Sequence, residues 1–63
     1  MDLERTVVRV RSEFIEMPGL RLSLPQAMRL WGLNRDECAA VIDELVNRSF
    51  LLTTSTGHIV RAA

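Results

Sequence analysis

The side chains of this sequence that offer most chemistry are its arginines. All eight basic residues are arginine, with no lysine. The guanidinium is a planar fork of donors matched to phosphate and carboxylate oxygens. Arg21, Arg29 and Arg35 stand out as candidate phosphate contacts, because they gather around one capped helix start and the turn that follows it. Taken singly, the bland alternative for each is a pair with a neighbouring acid on a wet surface, which is worth little energy. The other reactive types point away from catalysis. His58 is the single histidine, beside a Ser55-Thr56-Gly57 turn, where it either touches a phosphate or sits exposed with no role. Cys38 lies twenty residues from it, and one cysteine with one histidine cannot hold a metal ion. At a core-facing helix position Cys38 is expected to be a small buried hydrophobe. Ser12, Ser23, Ser49 and Ser55 have no partners in a triad pattern, there is no G-x-S-x-G elbow, and no glycine-rich phosphate loop is present. The expectation is a protein that is not an enzyme and that uses no cofactor or metal.

Those residues must be carried by one domain, residues 1–63. The composition, 48% hydrophobic and 25% charged, is that of a globular domain and argues against a disordered tail. A chain of this length buries only about 60% of its unfolded surface, which leaves little room for a deep cleft and makes help from a second chain plausible. A lone cysteine excludes an intrachain disulfide framework, so a reduced, cytoplasmic setting is expected. No apolar run approaches the ~18 residues of a membrane span, and the opening MDLERTVVRV does not read as a secretory signal. Formal net charge is zero, but residues 1–35 carry six arginines against four acids, and Asp36, Glu37, Asp43 and Glu44 fall behind them.

The periodicity sets out the elements. Leu3, Val7, Val10, Phe14 and Met17 recur at helical spacing and predict a leading helix over 1–17, stopped by Pro18-Gly19. Val8 and Ile15 form a second, narrower apolar line, read as flanks of the core stripe or as a candidate dimer contact. Leu20-Arg21-Leu22 alternates like a short strand. Ser23 with Gln26 makes a capping box for a second helix, with Pro25 in its first turn. That helix carries Leu24, Ala27, Met28, Leu30 and Trp31 and ends at Gly32. Asn34 with Glu37 repeats the box for a third helix, whose spacing buries Cys38, Val41, Ile42 and Leu45. Its other side carries Asp36, Ala39, Ala40, Asp43 and Asn47. Residues 50–54 and 58–61 read as two strands around the Ser55-Thr56-Gly57 turn.

This order, α-β-α-α-β-β, resembles the winged helix-turn-helix domain of bacterial transcription regulators. The stretch SLPQAMRLWGLNRDECAAVIDELVNRSFL is similar to that family's core in spacing, with a capped helix and the tripeptide Gly32-Leu33-Asn34. The hairpin LLTTSTGHIV looks like the wing, and the leading helix completes the pattern. The resemblance implies an α+β fold, with helix-turn-helix over 23–48 and a wing hairpin over 50–61. It also implies a core closed around Phe14, Trp31 and Phe50.

The resemblance further implies double-stranded DNA as partner. The outward positions Arg35, Asp36, Ala39, Ala40 and Asp43 would then face base edges. The wing tip, Thr54, Ser55, Thr56 and His58, would lie along the backbone or in a minor groove. Such a regulator is expected to be a dimer. A protein-interaction module on the same fold is the alternative, motivated by the acids of the third helix: Asp43 and Glu44 would repel phosphates at close range. The Val8/Ile15 line supports that alternative as well.

Overall fold

The computed structural model describes residues 2–62; Met1 and Ala63, the ends of the expected 1–63 span, lie outside the described residues. The elements follow as α1 (Leu3–Glu16), β1 (Leu22–Ser23), α2 (Leu24–Trp31), α3 (Arg35–Asn47), β2 (Leu51–Thr53) and β3 (His58–Arg61). The result is a small α+β domain of three helices on a three-stranded antiparallel sheet.

Each helix begins where its sequence offers a side-chain acceptor for free backbone donors. Asp2 accepts from the Arg5 amide at 3.2 Å and opens α1. Ser23 accepts from the Gln26 amide at 3.3 Å while Gln26 Oε1 accepts from the Ser23 amide at 2.9 Å, so the expected box starts α2. Asn34 and Glu37 repeat the exchange at 2.8 and 3.1 Å for α3. The ends of α2 and α3 are closed by left-handed residues. Gly32 has φ 66°, and the Leu33 amide returns to the Met28 carbonyl at 3.0 Å. At the end of α3 the same device is built on Ser49, at φ 60°. The Phe50 amide reaches the Leu45 carbonyl and the Ser49 amide the Val46 carbonyl, both at 2.9 Å.

The sheet order is β1-β3-β2. Leu22 faces Ile59 and Ser23 faces His58 on one side of β3, while Leu51, Leu52 and Thr53 face Arg61, Val60 and Ile59 on the other. β3 is His58–Arg61 as its pattern predicts, while the other two strands are shorter than theirs: β1 is Leu22–Ser23 rather than residues 20–22, and β2 is Leu51–Thr53 rather than 50–54. Leu20 and Arg21 instead bring the chain out of the Pro18-Gly19 turn, where the Leu20 amide is held by the Met17 carbonyl at 2.9 Å.

The core is drawn from every element: Val7, Val10 and Phe14, Leu22, Ala27 and Trp31, Cys38, Val41, Ile42 and Leu45, Leu51 and Ile59. Phe14 and Trp31 meet edge to face, with centroids 6.3 Å apart. Trp31 also joins α2 to α1 through its indole N–H, which donates to Glu13 Oε2 at 2.6 Å. The ends of the expected α1 stripe are not buried: Leu3 is 39% and Met17 48% exposed. Leu30 is exposed because Ala27 and Trp31, one turn apart, take the inward side of α2. Phe50 is half-buried against the core rather than central to it.

Candidate functional site

The candidate residues collect mainly around α3. Its core side is Cys38, Val41, Ile42 and Leu45, as the spacing predicts. Ala40, Asp36 and Asp43 are therefore exposed and Ala39 half-buried. Ala39 and Asp43 line a shallow groove of about 200 Å³ with Leu24 and Ile42 on one side and Thr53 and Gly57 of the hairpin on the other. The outward positions of α3 and the hairpin thus form one surface. Leu24 carries that surface on into a second groove of about 530 Å³, lined by Pro25, Met28 and Leu33 and by Arg29 and Arg35. Two of the three candidate phosphate arginines are brought together there. Arg21 is exposed on the approach to β1 and lines neither groove.

The hairpin tip has its own order. The Thr54 amide donates to the His58 carbonyl at 2.8 Å and Gly57, at φ 82°, returns its amide to the Thr54 carbonyl at 3.0 Å. Thr54 Oγ1 accepts from the His58 amide at 3.1 Å and lies 3.0 Å from Thr56 Oγ1, which lies 3.1 Å from His58 Nδ1. The hydroxyls thereby fix the imidazole by one nitrogen and leave Nε2 outside this ring of bonds. Ser55 is exposed at the apex and takes no part in it.

The charges are used unequally. Asp2 and Glu37 cap helices and Glu13 holds the indole. Glu4 and Glu44 both bind Arg48, at 2.9 and 3.0 Å. Among the described residues Arg48 is the one arginine that makes ion pairs, and its hydrogen bonds to Glu4, then to Glu44, raise its pKa further. Arg21, Arg29 and Arg35 have no carboxylate within 4.0 Å among those residues, and neither have Arg5, Arg9, Arg11 and Arg61. Of the acids, Glu16, Asp36 and Asp43 remain without a hydrogen-bonded partner among the described residues, and two of these lie on the outward side of α3. By ion pairs, seven arginines and six acids are left without a partner among the described residues, so the balance of charge is almost kept and only its placement is new to the structure.

No grouping of histidine, cysteine and carboxylate fit to hold a metal ion occurs among the described residues. Cys38 is fully buried and burial raises its thiol pKa, the opposite of an activated nucleophile. No helix is long and apolar enough to cross a membrane among the described residues. Val8 and Ile15 are 54% and 45% exposed, an outward line on α1 that borders neither the α3–hairpin groove nor the Arg29/Arg35 groove. Sequence reading missed the Arg11, Phe50 and Arg61 contact, since those residues lie far apart in the chain with no shared motif.

No family model, curated protein or solved structure matches the chain.

Proposed function

We propose that the chain is a small winged helix-turn-helix protein of the transcription-regulator type that binds double-stranded DNA. The observation that carries this reading is the groove at the turn between α2 and α3, where Arg29 and Arg35 stand together with no carboxylate partner among the described residues. Phosphate neutralisation supplies most sequence-independent affinity for a duplex, and these guanidiniums are free to provide it. The groove continues through Leu24 into the surface made by α3 and the hairpin. Ala39 and Ala40 let the α3 backbone approach base edges closely, with a methyl for a thymine contact. The hairpin, acting as the wing, offers His58 Nε2 and the Ser55 hydroxyl to the backbone.

Fluorescence anisotropy of a labelled mixed-sequence duplex over a salt series tests the reading. Three phosphate contacts, from Arg21, Arg29 and Arg35, give a slope of log K against log salt near about −2.7. Arg35→Ala is expected to flatten that slope by about one contact and to weaken binding equally on unrelated sequences. No binding at low salt and high micromolar protein would overturn it.

A second reading is favoured by one specific observation. Asp36 and Asp43 lie exposed on the outward side of α3 with no basic partner among the described residues, which suits a basic protein surface better than phosphate. On this reading the fold is a protein-interaction module. Glu44, which the sequence groups with Asp43, is engaged by Arg48 instead. The discriminating variant is accordingly Asp36→Ala with Asp43→Ala, which strengthens duplex binding if α3 faces phosphates and weakens a partner complex if the acids are its contacts. Ile15 seeds a homodimer contact in either case, joined by Val8 only where the groove beside Phe50 is empty. A standard interface takes about 800 Å² per partner from a chain whose accessible surface is 4060 Å², and light scattering reads the outcome directly.

A further inference from the structure

A second cationic site lies away from the proposed DNA face. It is centred on Phe50, at the junction of α3 and β2. The Arg11 guanidinium carbon stands 5.2 Å from the Phe50 ring centroid and that of Arg61 stands 5.0 Å from it. Neither has a carboxylate within 4.0 Å among the described residues. The Arg61 Nε is closed off from solvent and has no hydrogen-bond partner among them. A buried donor left unmatched is unfavourable, so among the described residues the Arg61 Nε is short of an acceptor.

Next to the ring, α1 and the end of α3 leave a groove of about 410 Å³. Val7, Leu45 and Phe50 line it, Val8 stands 54% exposed beside them, and Arg11 is on its edge. Arg48 borders the same groove, but Glu4 and Glu44 already satisfy its charge. Arg11 is therefore the arginine on the groove with no ion pair among the described residues, and Arg61 stands against the same ring without lining the groove. None of these residues belongs to the Arg29/Arg35 groove or to the α3–hairpin surface.

We propose that this groove, with the Arg11–Phe50–Arg61 stack, docks a protein segment carrying an apolar side chain beside carboxylates. Charge complementarity selects the acids: a guanidinium held against a ring presents its donor edge already oriented, and a carboxylate accepts two such N–H groups in parallel. Val8, 54% exposed, and the half-buried Phe50 select a neighbouring apolar side chain, over a floor of buried Val7 and Leu45, and a nucleic-acid backbone has no such side chain to place there. The site does not depend on DNA binding. With both in place, the chain would bridge a duplex and an acidic partner.

The test is fluorescence polarisation of the full chain with a short labelled peptide of Asp, Glu and Leu. Two controls accompany it: one with every carboxylate replaced by its amide, and one with every Leu replaced by Ser. Saturable binding of the first, weakened about tenfold in each control, is the expected result, tenfold being about 1.4 kcal/mol. Arg11→Ala and Arg61→Lys should each weaken the acidic peptide several-fold, the second by losing the planar fork while keeping the charge. Circular dichroism confirms that both variants fold. Arg29→Ala with Arg35→Ala should leave peptide affinity unchanged, which separates this site from the DNA reading. Equal binding of the amide peptide, no saturable binding, or displacement of the peptide by a duplex that Arg11→Ala no longer binds would overturn the proposal.

Discussion

Trp31 illustrates how one side chain can take part in two kinds of interaction. Its ring fills the core against Phe14, and its N–H donates to a half-buried Glu13 carboxylate one helix away. A hydrogen bond to a charged group is worth more than a neutral one, and this one joins α1 to α2. Glu13→Ala is expected to cost about 1–2 kcal/mol, which for a domain this size lowers the melting temperature by roughly 4–8 °C per kcal/mol. An unchanged melting curve would mean the bond contributes nothing. Cys38 gives the pH-dependent case. Burial raises its pKa above the unfolded value of 9.0, so the native state holds its proton longer. Its contribution to stability is full below that pH and is lost as the pH rises toward the folded pKa, since only the unfolded thiol ionises easily. Denaturant midpoints should therefore fall on going above pH 9.0 in the wild type and fall less in Cys38→Ala, with equal slopes counting against a buried thiol. Cys38 was legible as buried from its place between Asn34 and Val41 at helical spacing. The Glu13–Trp31 bond was not, because nothing in local sequence pairs residues eighteen apart.

At the scale of elements, the sequence wrote its helix starts plainly and its ends unevenly. Both capping boxes are local, three-residue patterns, and both form. Gly32 likewise announces the left-handed stop of α2. The end of α3 uses the same geometry on Ser49, where the sequence marks an exit from the helix but not that a residue with a Cβ would take φ 60°. A non-glycine residue there carries strain of about 1 kcal/mol, so Ser49→Gly should raise stability by a few tenths to about 1 kcal/mol once the added freedom of the unfolded chain is subtracted. Chemical denaturation checks it, and a loss of stability would mean that the serine side chain does something its backbone angle conceals. The strands were the least legible elements. Two or three residues of β-branched or leucine character fit a strand or a loop equally well, and β1 is fixed only by its pairing with β3, far along the chain. The exposed ends of the α1 stripe have a similar origin, because periodicity reports which side faces inward but not where the neighbouring elements stop.

For the whole molecule the decisive quantity is which charges remain available once the fold has used its share. Glu4 and Glu44 are taken by Arg48, whereas Arg29 in the last turn of α2 and Arg35 at the start of α3 line one groove with no carboxylate within 4.0 Å among the described residues. The proposed DNA face joins them to Ala39, Asp43 and the hairpin tip. The most direct measurement is a titration of isotope-labelled protein with a short duplex at low salt, followed by amide chemical shifts. The account predicts the largest changes at Arg21, at Arg29 and at residues 33–43 and 53–58, with Arg11, Val8 and Ile15 unmoved. Shifts confined to α1 and Phe50, or none at all under those conditions, would contradict it.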